Sequence, residues 1–403
     1  MKNTGNFTKR FRHSLRRKKN IMLLACIAAA LLCMISVVIF VFVLNHNSDS
    51  NITISEIPEA EEIPPPETEE PTEEEPEEPE APIVYPEPDY NLTLEEIYVP
   101  LEGLQREYRV AWVSDLHMIT DHEPGGVSEG SIIKLNSRYE TLAVTEDGVH
   151  AEELWPDIIK CLNQGNYDAL IFGGDMMDYC SPSNMDALKK GYDELRYDRE
   201  QILYIRADHD YGAWYVGDNI TQQDIYKYHE RLDGDDPEKK YLDMGEFILI
   251  GINDSTKNIT DENFSIVEKL YEKAAREDKP VIAVTHVPYG SNVDDSLSKL
   301  SKKVRNKPYY WVRPYYQPND TMWSYLDFIF REDTQGKQVL AGHLHAPWDG
   351  MITDQLREHI FSPAFNGTIG VIHFVPEDED VDTSTYFSRK YYEDTDTVSG
   401  NEK

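Results

Sequence analysis

Ala169-Leu-Ile-Phe-Gly-Gly-Asp-Met-Met-Asp178 decides how the rest of this chain is read. Its first four residues form a short apolar run, which reads as a buried strand ending at Gly173-Gly174. Two carboxylates follow at once, Asp175 and Asp178. Glycines at such a point let the chain turn sharply and let another group approach the backbone closely. In an open α/β sheet, ligands bind beyond the carboxyl ends of the strands, which is where Asp175 would stand.

Four other apolar runs end in the same kind of residue. Val110-Ala-Trp-Val-Ser leads into Asp115-Leu-His117, and Ile205-Arg-Ala leads into Asp208-His209-Asp210. Val284-Thr leads into His286, and Gly342 is followed by His343-Leu-His345. Any one of these is ordinary, because an Asp after a strand is commonly a helix cap or a turn residue. Five along one chain would bring Asp and His side chains together on one sheet edge. Imidazole and carboxylate donors in combination suit Zn, Fe or Mn.

In this order the residues resemble the calcineurin-like metallophosphoesterases, whose pattern is D-x-H, G-D-x-x-D, G-N-H-D/E, H and G-H-x-H. The resemblance covers nearly all of residues 109–375. It implies an α/β fold, a β-sandwich of two mixed sheets flanked by helices, with two divalent metal ions (Mn, Fe or Zn) at one edge. Carried over by position, Asp115, His117, Asp175 and His345 would hold the first metal. Asp175 would bridge to a second, held also by Asp208, His286 and His343. His209 would act as general acid, with Asp210 orienting its imidazole. Asp178 is read as a supporting or helix-starting residue rather than a ligand. Two metals roughly 3.5–4 Å apart can hold a hydroxide at neutral pH and clamp a phosphate for in-line attack. The implied function is hydrolysis of a phosphate mono- or diester.

One position departs from the family pattern. Where the family has Gly-Asn-His, this chain has Ala207-Asp208-His209. Asp can still give an oxygen to a metal, but it lacks the amide N–H that Asn offers a phosphate oxygen, and it adds a negative charge. Altered substrate or metal preference is one consequence. The alternative is a catalytically weak metal-binding relative serving as a cell-surface binding module.

Outside this region the chain changes character several times. Residues 1–20 are strongly basic and residues 21–44 are apolar or small throughout, long enough to cross a hydrocarbon core of about 30 Å as a helix. The basic flank would stay in the cytoplasm, leaving the C-terminal bulk outside. A cleaved signal peptide is the competing reading, but its apolar region is usually shorter and ends at a small-residue site. Residues 45–92 are dominated by Glu and Pro and form an expected extended spacer. The metallophosphoesterase-like domain is read as 93–376 and an acidic tail as 377–403. The formal net charge of −35, from 74 acidic against 39 basic residues, argues against a general nucleic-acid-binding surface. With only 4 cysteines, two of them (Cys26 and Cys33) in the apolar run, no disulfide framework is indicated. A pairing of Cys161 with Cys180 stays open.

Within the domain, expected strands cover 109–114, 169–172, 201–205, 247–252, 281–285, 338–341 and 370–374. Expected helices cover 151–164, 186–195, 261–277 and 322–330. Two further stretches have no motif. Residues 121–149 form a long insertion that would serve as a lid. The basic, aromatic stretch 299–316, with Lys299, Lys302, Arg305, Tyr309 and Trp311 among its residues, is either a rim to the site or a solvated loop before a core helix.

Overall fold

The computed structural model describes residues 92–212, 241–255, 259–293, 295–306, 319–377 and 387–390. Residues 1–91 lie outside this set, and with them the basic segment, the apolar run and the acidic linker. Among the described residues no helix is long and apolar enough to cross a membrane.

Twelve described strands form two six-stranded mixed sheets. The first contains β1 (Thr93–Leu101), β2 (Tyr108–Val113), β3 (Ala169–Phe172), β4 (Ile202–Tyr204), β11 (Thr368–Pro376) and β12 (Phe387–Lys390), in the order β12-β1-β11-β2-β3-β4. The second contains β5 (Tyr241–Asp243), β6 (Ile248–Ile252), β7 (Val281–Thr285), β8 (Gly336–Ala341), β9 (Trp348–Met351) and β10 (Arg357–Ile360), in the order β5-β6-β7-β8-β10-β9. Strands β2, β3 and β4 run parallel, as do β6, β7 and β8. Their carboxyl ends therefore share an edge within each sheet.

Burial alternates along these strands as a pleat requires. Val110 and Trp112 of β2 pack with Ile282 and Val284 of β7 in a core between the sheets. Ala111 and Val113 face the other way, onto α2 (Ala151–Gln164) and α3 (Pro182–Asp193). Val281 and Ala283 pack outward against α5 (Asp261–Glu277) and α7 (Asp320–Ile329). Buried on both faces, these strands read as continuous apolar runs, which is why their positions were legible. In α2, Leu154, Trp155, Ile158, Ile159 and Leu162 supply a 3.6-period stripe to the first sheet. Thr260 caps α5 by accepting from the Asn263 amide at 3.1 Å, and Asp278, left-handed at φ 54°, ends it.

The second and fifth expected strands match, and the others shift by one or two residues at an end. The helix expected at 186–195 starts earlier, because Ser181 caps it and Pro182 occupies its first turn. Several elements carried no legible signal. β1 contains Glu95, Glu96 and Pro100, yet it lies between β11 and β12 with both glutamates buried. The insertion 121–149 contains α1 (Glu129–Thr141), and the basic stretch begins with α6 (Ser296–Arg305). Residues 307–318, which hold its aromatics, lie outside the described set. β12 falls inside the stretch read as an acidic tail. Cys161 and Cys180 are both buried as thiols, so the disulfide left open by the sequence is not made.

Candidate metal centre

The site forms where the strands end. β2 delivers Asp115 and His117, β3 delivers Asp175, β7 delivers His286, and β8 delivers His343 and His345. Backbone hydrogen bonds lace these ends together: Asp115 N to Gly174 O at 2.9 Å, His117 N to Asp175 O at 2.9 Å, and Gly342 N to His286 O at 3.0 Å. Two glycines permit the crowding. A Cβ on Gly342 would fall 2.5 Å from Asp115 Oδ2, and Gly174 adopts φ +91° beneath the His286 ring.

Seven non-glycine described residues have positive φ, and two of them, Asp278 and Asn306, end helices. The other five are Asp115, His117, Asp175, His343 and His345. A left-handed non-glycine residue costs on the order of 1 kcal/mol. Five in one place mark a turn geometry retained for its side-chain directions.

The candidate ligands gather in three overlapping groups: Asp115 with His117 and His345; Asp175 with His286 and His343; and His117 with Asp175 and His209. His117 Nε2 faces His345 Nε2 at 3.0 Å and Asp175 Oδ2 at 3.6 Å. His286 Nε2 lies 3.1 Å from Asp175 Oδ2, and His345 Nε2 lies 3.3 Å from Asp115 Oδ1. Asp208 stands outside the three groups, at the start of the short helix α4 (Asp208–Tyr211). Its Oδ1 is buried without a hydrogen-bond partner.

A hydrogen bond behind the His286 ring and a carboxylate contact behind the His117 ring set which nitrogen faces inward. His286 Nδ1 donates to the Gly173 carbonyl at 2.8 Å, and His117 Nδ1 lies 2.8 Å from Asp178 Oδ1. Both arrangements leave Nε2 as the lone-pair nitrogen toward the site. Asp115 accepts from the His343 amide at 3.0 Å and from Ser114 Oγ at 2.7 Å, and Ser114 in turn accepts from Trp112 Nε1. Arg305 Nη2 donates to the His343 carbonyl at 2.7 Å, so the basic stretch does reach a ligand loop.

His209 Nδ1 donates to the backbone carbonyl of Asp178 at 2.6 Å. Asp210 was expected to orient that ring. Its carboxylate instead accepts from the backbone amides of Asp175, Met176, Met177 and Ala207 at 2.9–3.2 Å. Asp210 therefore shapes the turn that presents Asp175, and Asp178 takes the orienting role. A carboxylate two bonds from its own backbone is well placed to bond neighbouring amides, and here those amides claim it.

Electrostatics among these side chains follow from the crowding. Burial alone would raise Asp175 and Asp115, but the imidazoles beside them hold both carboxyls well below their usual range. Burial would lower His286, but Asp175 and Asp115 push it well up. His345 falls to about 3 through burial and the Arg305 charge. Asp208 is pushed up by burial and by the charge of Asp175. An acidic oxygen that is buried, unpartnered and repelled by a neighbour is suited to a cation. With inward-facing imidazole nitrogens and a central carboxylate, the donor set fits divalent Mn, Fe or Zn.

Sequence reasoning missed Arg138 and Ser114, and named Arg305 only as part of a stretch that would either rim the site or be solvated. A signal existed for Arg138: a buried second acid in G-D-x-x-D demands a cation, and the insertion 121–149 has only Lys134 and Arg138 as basic residues. Arg138 binds Asp178 through Nε at 2.8 Å and Nη2 at 2.5 Å.

Two helix-covered sheets with an Asp/His cluster at their shared edge define a class of metal-site sandwich. The chain belongs to the calcineurin-like phosphoesterase family, whose sequence model matches residues 108–347. Among solved structures, a dimetal phosphatase from Danio rerio is 9% identical over 64% of this chain and 88% of its own, with a TM-score of 0.38. Purple acid phosphatase PPD1 from yellow lupin (Lupinus luteus) is 13% identical over 72% of this chain and 49% of its own, with a TM-score of 0.40. The 5'-nucleotidase of Candida albicans is 14% identical over 72% of this chain and 53% of its own, with a TM-score of 0.38. This chain spans about half the length of the latter two. No curated protein matches it.

Proposed function

We propose that this chain is a metal-dependent phosphoesterase that hydrolyses phosphate mono- or diesters, with Asp115, His117, Asp175, Asp208, His286, His343 and His345 holding two divalent ions. The observation that carries the reading is the set of three overlapping Asp/His groups, one of which also includes His209. When bound, the ions supply a nucleophile at neutral pH and a positive clamp for the phosphate. The chain's own residues do the rest. Asp175, shared between two of the groups, would serve both ions. His209 is the proton donor: burial disfavours its charge, but Asp175, Asp178 and Asp208 outweigh that and raise its pKa. With Nδ1 committed to the Asp178 carbonyl, Nε2–H is the proton it gives to the departing oxygen, a contribution of about 10²–10⁴-fold. Asp210 holds the Asp175 turn rather than acting on the substrate.

The basic segment, the apolar run 21–44 and the Glu/Pro-rich stretch support a single membrane anchor and spacer, with the catalytic domain outside the cell. Alkaline carbonate extraction and protease access from outside test that placement. Retention in the pellet with loss of the domain to protease is the expected result.

Hydrolysis of bis-p-nitrophenyl phosphate and p-nitrophenyl phosphate by the full chain with Mn²⁺ tests the activity, run beside His117→Ala and Asp208→Asn. Turnover by the parent and none by His117→Ala is expected. A silent parent that Asp208→Asn awakens would favour the metal-binding surface module instead, since Asp208 is the feature that distinguishes the two.

A further inference from the structure

Asp178 sits at a junction that the metal-ligand set does not explain. It is fully buried, its Oδ1 lies 2.8 Å from His117 Nδ1, and its backbone carbonyl accepts from His209 Nδ1 at 2.6 Å. One residue therefore orients both a candidate ligand and the candidate acid. A buried carboxylate in that position needs a counter-charge. It comes from outside every motif: Arg138, on α1, closes a bidentate fork on Asp178 through Nε and Nη2. Such a fork fixes the carboxylate in rotation as well as in charge, which a lysine cannot do.

The helix that brings Arg138 is lightly held. Leu135 is its one buried residue, and Ile133 is 64% exposed. Tyr139 stacks on His150 and donates to Glu152 at 2.8 Å. Arg138 is the contact that runs inward to the site. A helix needed only for the core would bury more of its apolar face.

We propose that Arg138 is a positioning residue of the metal centre, acting through Asp178 on the His117 and His209 rings from the inserted helix. The inference rests on the phosphoesterase reading above. It assigns α1 a part in that site: when Arg138 is seated, Asp178 is held in the rotamer that presents His117 Nε2 to a metal. Without Arg138 the His117 ring is free to turn, and ligand affinity falls with it.

A metal-binding cycle tests this without relying on turnover. Mn²⁺ affinity is measured calorimetrically for the full chain, Arg138→Met, Arg138→Lys, Asp178→Asn and the Arg138→Met/Asp178→Asn double variant. Arg138→Met is expected to weaken Mn²⁺ binding about 10-fold or more, with Arg138→Lys between it and the parent. In the Asp178→Asn background the Arg138→Met effect should vanish, because Arg138 acts only through that carboxylate. The double variant also removes the uncompensated buried charge, so it covers a failure of Arg138→Met to fold. In hydrolysis, kcat falls and KM stays. A parent that binds Mn²⁺ and an Arg138→Met variant that binds it equally well would overturn the inference, as would an unchanged Arg138→Met penalty in the Asp178→Asn background. A parent that takes up no metal would instead overturn the phosphoesterase reading.

Discussion

His286, carried by the second sheet, donates its Nδ1–H to the backbone carbonyl of Gly173 on the first, at 2.8 Å. That bond ties the two halves of the sandwich at the site and turns His286 Nε2 toward Asp175, 3.1 Å away. The carbonyl can only accept, so the tautomer follows from the bond.

Gly174 lies directly beneath this contact. A Cβ there would meet Ala207 Cβ at 2.8 Å and His286 Nδ1 at 2.9 Å, on a backbone at φ +91°. Gly174→Ala is expected to lower the unfolding free energy by about 2 kcal/mol and to displace the His286 ring. Urea unfolding with a parallel metal assay checks both. An Ala variant with parental stability and metal content would show that the turn tolerates a side chain.

Asp208 is a liability to the metal-free protein. Burial, then the charge of Asp175, raises its pKa above the unfolded value. Its contribution to stability is therefore present at acid pH and is lost as pH rises through the folded value. Asp208→Asn should stabilise the metal-free chain at pH 8 but not at pH 4, as read from thermal midpoints. With metal bound it should lower KM for an anionic ester severalfold, since it removes one negative charge from the site.

Glu358 gives a pH signature away from the ligands. It is fully buried, accepts from the Tyr289 amide at 2.8 Å, and burial pushes its carboxyl up to about 8. The folded protein thus keeps a proton that the unfolded chain releases near pH 4.5. Stability should be full below about pH 4.5 and fall as pH rises through about 8, by up to about 1.4 kcal/mol per unit. Glu358→Gln removes that component. Unfolding of both proteins at pH 5.5, 7 and 8.5 is the check, and parallel pH slopes would contradict the assignment.

His359 is fully buried between Glu95 of the first sheet and Asp349 of the second, 3.0 Å from each. Burial disfavours its charge, but the two carboxylates raise its pKa. His359→Leu leaves both acids uncompensated and should cost about 3–5 kcal/mol. Metal content should not change, because none of the candidate ligands touches this trio. Equilibrium unfolding and a metal assay separate the two effects.

The site was legible where apolar strands run straight into Asp or His. β3 into Asp175, β7 into His286 and β8 into His343 each join a burial signal to a chemical one. Asp208 was legible as a residue but not in its placement outside the close groups. What supports the ligands was hidden. Asp210 left its expected ring-orienting part to Asp178, already read as a supporting residue, because backbone amides, invisible in a sequence, claim the Asp210 carboxylate. β1 escaped notice because Glu95 and Glu96 look solvent-facing until His359 and the rest of the sandwich surround them. Arg138 lies in an insertion with no motif, and its meaning comes from a partner 40 residues away.

Metal-free full chain titrated with Mn²⁺, with hydrolysis of bis-p-nitrophenyl phosphate followed at each addition, tests the central claim most directly. The account predicts that activity rises until about two ions are bound per chain and that a chelator abolishes it. Hydrolysis that is indifferent to chelator, or no Mn²⁺ uptake at any concentration, would contradict it.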